Sequence, residues 1–513
     1  MVDDDAPASE RQKFEARFET ALDEAGLAMT ADERAGLRKL AAWMHEGLAT
    51  QPEAAGAMGD GGVLDLPLED LGARLRDGRL TAVALTRACL DRIAARDRAY
   101  LSFYAVFEKE ALAEAAAADR ALAAGEDRGP LHGIPVGIKD MIDVAGWPTT
   151  ANAPGRADAV ATEDALVVKR LRAAGAVIIG KLATYEWGTV GPDKRGLFPP
   201  ARNPWDLKRI TGGSSSGCAA AVAGGLLRIS IGSDSGGSVR GPSFYCGTVG
   251  LKPTYGVVPE QGALNLVPSM DHIGVVCASV AEVAATFDVI ADRHAPDDSA
   301  RLLGMPIAGL RIGYARNWFA HDPQAMPEVI AAVDAAVSTL SGLGGSVREV
   351  ELPDYPAIEV AAAAILHAES FQQHAENLRD HPESYGRRAF LSLAAGVAVS
   401  EGELAIARGI GQRFCQAVDA LLDRHEVLIT AGALTTALPA APFEKEAVWT
   451  PMRTIGFNVS GHPVLALPIG FHDGLPIGMQ IIGRHGDEAR ILQIGHAFER
   501  ASDVSLLRPP IPG

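Results

Sequence analysis

Glycine and serine are concentrated between Gly212 and Gly256, in a part of the chain that is otherwise expected to lie in the interior. The stretch begins Gly-Gly-Ser-Ser-Ser-Gly at 212–217, passes through a helix of small residues, and reaches Asp-Ser-Gly-Gly-Ser at 234–238. Glycine lets the backbone approach a neighbour closely and adopt a positive φ. Consecutive N–H groups in such a loop can point at one place and form an anion-binding concavity. The stretch therefore predicts a buried site lined by backbone amides.

Three kinds of chemistry use such a loop. A phosphate-binding loop would need a lysine after its last glycine, and neither glycine cluster has one at that position. Residues 213–217 match the G-x-S-x-G nucleophile elbow with Ser215 as nucleophile, but the polar segment 203–208 precedes them where that motif needs a buried strand. The third possibility is a serine nucleophile whose base is not histidine.

A candidate base ends the apolar run Gly-Ile-Pro-Val-Gly-Ile-Lys-Asp at 133–140. This run predicts that Lys139 lies at the end of a buried segment. Taken alone, the lysine is also compatible with a surface position in which it pairs with Asp140.

Strand and helix patterns alternate through the rest of the chain. Strands are predicted near 102–107, 176–180, 310–314, 346–352, 427–430, 464–468 and 479–482, and helices near 327–343 and 488–501. The segment 358–423 reads as mostly helical. Alternation of this kind predicts an α/β protein with a mixed, largely parallel central sheet and helices on both faces.

Four motifs in order resemble those of the amidase signature hydrolases: 130–140, 212–217, 234–240 and 246–254. The similarity runs from about Leu64 to the C-terminus. It implies the amidase signature fold for a catalytic domain at 63–513. Residues 1–62 are predicted to form an N-terminal helical extension and linker, which we expect to support a homodimer.

The resemblance also implies a catalytic triad. Ser238 is the expected nucleophile, Ser214 follows a cis peptide bond and bridges to it, and Lys139 is the expected base once burial has made it neutral. The backbone N–H groups of Ser235, Gly236, Gly237 and Ser238 match the oxyanion hole of the family. Supporting roles are expected for Ser215, Asp234 and Arg240.

Composition limits the partners. The formal net charge of −17 argues against nucleic acid and against an anionic membrane surface, and no apolar run reaches the length of a membrane span. Five scattered cysteines without a C-x-x-C pair suit a reducing cytoplasm. No contiguous metal-binding pattern such as H-E-x-x-H is present, so we expect neither a metal nor a cofactor.

The predicted function is hydrolysis of the C–N bond of a small or medium carboxamide, a range that includes aryl amides, carbamates (a urethanase activity) and esters. The alternative is the amidase subunit of a glutamine-dependent aminoacyl-tRNA amidotransferase, which needs partner subunits.

Overall fold

The computed structural model describes residues 31, 34, 62–292, 298–445, 448–504 and 507–512. From residue 62 onward these fall within one compact unit, Gly56–Gly513. The predicted N-terminal extension lies almost entirely outside the described residues, so its helices and its role in dimerisation stay predictions.

One mixed sheet organises the described residues. Its eleven strands, in chain order, are β1 (Phe103–Val106), β2 (Pro135–Lys139), β3 (Val177–Leu182), β4 (Ile229–Ser233), β5 (Val249–Lys252), β6 (Ile273–Cys277), β7 (Arg311–Tyr314), β8 (Ser346–Glu349), β9 (Val427–Ala431), β10 (Val464–His472) and β11 (Leu475–Ile482). Their spatial order is β1-β3-β2-β4-β6-β5-β10-β11-β9-β7-β8.

Parallel pairing occurs in two groups, β3–β2–β4 and β9–β7–β8. The strands between these groups, and the edge pair β1–β3, are antiparallel. The predicted α/β class with a mixed sheet is confirmed. Strands β2 and β3 are buried along their whole length, which explains why they read as continuous apolar runs instead of alternating patterns.

Helices flank the sheet. They are α1 (Leu68–Arg76), α2 (Ala82–Tyr100), α3 (Glu108–Ala123), α4 (Leu166–Ala173), α5 (Ser216–Ala223), α6 (Arg240–Cys246), α7 (Val280–Ile290), α8 (Pro327–Gly342), α9 (Tyr355–Asp380), α10 (Arg387–Ala394), α11 (Glu401–Leu422), α12 (Ala441–Lys445), α13 (Gly456–Val459) and α14 (Glu488–Ala501). Helix α11 begins with a reciprocal cap: the Ser400 hydroxyl accepts from the Glu403 N–H, and the Glu403 carboxylate accepts from the Ser400 N–H.

Among the described residues, no single helix is long and apolar enough to cross a membrane. The strongly bent pair 387–398 and 401–422 meets the length and composition requirement only when its two parts are taken together.

Candidate active site

The candidate site lies where two parallel neighbours of the sheet end. Strands β2 and β4 are adjacent and run in the same direction, so their last residues, Lys139 and Ser233, meet at one edge. The Lys139 Nζ lies 2.9 Å from the Ser233 Oγ and 2.7 Å from the Ser214 Oγ. Side chains at the carboxyl ends of parallel strands commonly form ligand sites.

Lys139 is completely buried, and Asp140 does not pair with it. Asp140 instead forms a buried ion pair with Lys181, at 3.0 Å. The alternative that Lys139 is a surface lysine paired with Asp140 is therefore wrong. Burial lowers the pKa of Lys139 from its ordinary value to about 8, because an ammonium group loses its hydration in the interior. An amine with this pKa is partly neutral near pH 7 and can accept the proton of a hydroxyl group beside it.

Ser214 lies at the start of the loop that leads into α5, and the Gly213–Ser214 peptide bond is cis. Ser215 is buried, and its hydroxyl donates to the Ser233 carbonyl at 3.1 Å. That contact is incompatible with Ser215 as the exposed nucleophile of an elbow. The Ser215 N–H also donates to the Ser238 carbonyl at 3.1 Å, which holds the loops that carry Ser214 and Ser238 side by side.

Ser238 is half-buried and lines a cavity of about 210 Å³. The hydrogen bonds of the described residues join Lys139 to Ser214 and do not include one between the hydroxyls of Ser214 and Ser238.

The loop before Ser238 is held by a buried ion pair. Asp234 and Arg240 are inaccessible to solvent, and the guanidinium lies 2.9 Å from the carboxylate. Arg240 also donates to the Thr454 carbonyl and to the Asn458 Oδ1. Burial alone would raise the pKa of Asp234, but the charge and hydrogen bonds of Arg240 outweigh it and hold that pKa far below its usual range. Asp234 is therefore a charged anchor for the loop.

The predicted oxyanion hole requires one correction. The Gly237 N–H already donates to the Asp234 Oδ1 at 2.7 Å, so that amide is committed to the anchor. The N–H groups of Ser235, Gly236 and Ser238 have no acceptor among the described residues. Gly237 has φ +125°, and a Cβ there would lie 2.3 Å from the Thr454 Oγ1, so this position requires glycine.

Several neighbours of the site carry no signal in the catalytic motifs. Ser233 follows a buried strand and directly precedes Asp234, and a polar residue at that strand end could have pointed to it. Thr454, whose hydroxyl donates to the Gly236 carbonyl at 2.7 Å, and Asn458 come from more than 200 positions along the chain. The buried Asp271, which accepts from the Ser235 hydroxyl, is equally unmarked; burial raises its pKa to about 6.

The cavity in front of Ser238 is mainly apolar and aromatic, and its walls include Tyr185, Ile210, Leu266, Tyr355, Leu366 and Ile455. None of the described lining residues carries a formal charge at neutral pH. His367 is among them; its Nδ1 donates to the Ser392 carbonyl at 3.0 Å, and burial lowers its pKa. Trp449 also lines the cavity, is 55% exposed, and donates its Nε1–H to Glu359 at 2.9 Å.

Comparison with known proteins gives one family. The sequence model described as Amidase matches residues 84–492, most of the chain. The chain belongs to the amidase signature family. It is therefore a hydrolase of amide C–N bonds, as the motifs predicted.

Relatives of this amidase differ in their described roles. The amidase-type subunit of the glutamyl-tRNA(Gln) amidotransferase from Roseiflexus sp. (strain RS-1) is 37% identical, with 87% of this chain and 98% of the relative covered. A solved s-triazine catabolic enzyme, described as part of a vestigial protein complex, is 31% identical with a TM-score of 0.78, over 85% of this chain and 98% of its own. The peptide amidase of Stenotrophomonas maltophilia is 29% identical with a TM-score of 0.75, over 89% and 99%.

Proposed function

We propose that this amidase cleaves an uncharged carboxamide of small or medium size, with aryl amides, carbamates and esters within its range. The observation that carries the proposal is the cavity in front of Ser238, which is apolar and aromatic and has no formal charge among its described lining residues. Such a cavity favours substrates whose acyl and leaving groups are neutral, because a charge moved from water into it would lack a partner.

The proposed reaction begins with proton transfer. Neutral Lys139 accepts a proton from the Ser214 hydroxyl, which takes one in turn from Ser238, and the Ser238 oxygen attacks the carbonyl carbon. The C–N bond then breaks as the leaving nitrogen receives a proton back through the same relay. Water hydrolyses the resulting ester on Ser238 and releases the acid. The 2.7 Å Lys139–Ser214 contact supports the first step.

The oxyanion that forms during attack needs hydrogen-bond donors. The uncommitted N–H groups of Ser235, Gly236 and Ser238 are the proposed donors, since they belong to the loop that carries the nucleophile and have no acceptor among the described residues. Donors fixed in place before the reaction stabilise the transition state without a cost of reorganisation. Asp234, Arg240 and Ser215 are proposed to position this loop.

The second candidate is the amidase subunit of a glutamine-dependent aminoacyl-tRNA amidotransferase, working with partner subunits. The described roles of the curated relatives support this candidate more directly than they support a stand-alone amidase. The cavity chemistry weighs against it. Free glutamine carries an α-ammonium and an α-carboxylate, and a buried charge without a partner is strongly unfavourable.

A substrate panel assayed on the purified chain alone separates the two candidates. The panel contains a neutral anilide, an aryl carbamate, an aryl ester and L-glutamine, with release of arylamine, phenol or ammonia as the readout. We expect turnover of the neutral substrates and no release of ammonia from glutamine, with all activity lost in Ser238→Ala. Glutamine hydrolysis that appears only after partner subunits are added, together with inert anilides, would establish the second candidate.

Cytoplasmic location and a homodimer remain predictions for this enzyme. Light scattering on the purified full chain and on a chain lacking residues 1–62 measures the oligomeric mass. Loss of the dimer on truncation is the expected result.

A further inference from the structure

A group of metal-ligating side chains lies outside the catalytic motifs. The Cys415 Sγ and one ring nitrogen from each of His462 and His485 lie within 4.8 Å of one another. Cys415 is on α11, His462 precedes β10, and His485 follows β11. Asp419 stands four residues after Cys415 on α11, hence on the same helix face, and its Oδ2 lies 3.7 Å from the Cys415 sulfur.

Both histidine rings are oriented by Ser460. The His485 Nε2 lies 2.9 Å from the Ser460 carbonyl. A carbonyl only accepts, so this nitrogen carries the hydrogen and the Nδ1 keeps its lone pair. The His462 Nδ1 lies 3.0 Å from the Ser460 hydroxyl, which can donate or accept and so supports either tautomer. Metal-binding histidines typically have this kind of hydrogen-bond partner on the ring nitrogen that does not bind the metal.

The other two ring nitrogens converge. The His462 Nε2 and the His485 Nδ1 lie 3.1 and 3.8 Å from the same Asp419 oxygen. The rings themselves are stacked, with centroids 4.0 Å apart. One thiol, two imidazole nitrogens and one carboxylate thus surround a single point. His462 is buried, whereas His485 and Asp419 are open to solvent, so an ion has an entry route.

We propose that Cys415, Asp419, His462 and His485 bind one zinc ion. Zinc takes four ligands from cysteine sulfur, histidine nitrogen and carboxylate oxygen in tetrahedral geometry. A soft thiolate beside two imidazoles favours zinc over magnesium or calcium. On binding, the Cys415 thiol releases its proton to solvent, and thiolate and carboxylate together balance the two positive charges of the ion. The expectation that the chain binds no metal rested on contiguous motifs, whereas these ligands span 71 positions of the sequence.

The site bears on the catalytic loop through one short segment. Helix α13 carries Asn458, whose amide donates to Asp234 at 2.8 Å. Ser460, which orients both histidines, follows two residues later. Zinc would therefore fix one end of a segment whose other end holds the anchor of the oxyanion loop. Its proposed role is structural.

Metal titration of the full chain tests the proposal. The protein is treated with a chelator, desalted, and titrated with Zn²⁺ by calorimetry and with Co²⁺ by absorbance. We expect one zinc per chain and a thiolate-to-cobalt charge-transfer band. Cys415→Ser abolishes the band, and His485→Ala weakens zinc binding by about 100-fold, the upper part of the range for loss of a supporting group. His381→Ala, at an exposed histidine beside Glu383, is the matched control and binds as the wild type does.

A chain that binds no zinc stoichiometrically, or variants that bind it as tightly as the control, would overturn the proposal. His485 is exposed, so His485→Ala tests the site even where Cys415→Ser does not fold. A second readout is amide hydrogen exchange: bound zinc is expected to slow exchange at 456–462 in the wild type and not in His485→Ala. Equal exchange with and without zinc in the wild type would contradict a structural role for the ion.

Discussion

The two sides of the loop that carries Ser238 differ in chemistry. Behind the loop, Asp234 and Arg240 are fully buried charges whose hydrogen bonds are satisfied by one another, by Thr454 and by Asn458. In front of it, the cavity has no formal charge among its described lining residues. Buried charge is tolerated only where it is paired and hydrogen-bonded. The rigid side therefore holds the backbone and the base, and the apolar side is left for the substrate.

The largest expected effect is on the rigid side. Ser238→Ala or Lys139→Ala is expected to lower kcat by at least about 10³-fold, because residues that act as one catalytic unit fail together. The measurement is steady-state hydrolysis of whichever neutral substrate the panel identifies. Ser216→Ala is the matched control: its hydroxyl donates to the Ala183 carbonyl, away from Lys139, and the rate should stay close to wild type. A Lys139→Ala enzyme that retains most of its activity would show that the base is another group.

The next effect concerns stability. Arg240→Leu leaves Asp234 buried without its partner and is expected to lower the free energy of unfolding by about 3–5 kcal/mol. Arg316→Leu breaks a half-exposed pair with Asp334 and should cost less than about 1 kcal/mol. Urea denaturation of both variants gives the comparison. Equal losses would mean that the Asp234–Arg240 pair does not anchor the loop.

The pH dependence of the rate should be smaller but clear. Lys139 acts only when neutral, and burial sets its pKa at about 8, so kcat/KM should rise about tenfold per pH unit below 8 and level off above it. Between pH 6 and pH 9 the expected increase is about 100-fold. A profile that rises near pH 6.5, and that is removed by His367→Asn, would assign the base to histidine.

The smallest effect is expected on the apolar side. Leu366→Asn places an amide in the cavity wall and should lower kcat/KM for a neutral aryl amide about tenfold, mainly through KM. Leu391→Asn makes the same change at a position that is 53% exposed and should leave both constants unchanged. If Leu366→Asn acts mainly on kcat, the wall contributes to the chemistry and the separation of the two sides is incomplete.

The rigid side could be read from the sequence because its main parts are contiguous. Lys139 ends one apolar run, and Ser214, Asp234 and Arg240 lie in two short motifs only 26 positions apart from first to last residue. Thr454 and Asn458 could not be predicted because only the folded chain brings them to that loop.

The apolar side could not be predicted in the same way. Its walls come from α9, from the loop at 448–455 and from residues near 185–191, and no spacing links these segments. Strands β4, β5 and β6 were missed as well, because glycine and serine in buried strands hide the alternation and branched side chains that mark a sheet. Helix α14, by contrast, was predicted at its observed bounds from its 3.6-residue period.

Trp449 gives this enzyme an optical signal. Its indole is more than half exposed and borders the cavity, whereas Trp147 and Trp318 are buried. A ligand that covers the ring should change its emission, and titrating Ser238→Ala would then yield dissociation constants for substrates that the variant cannot turn over.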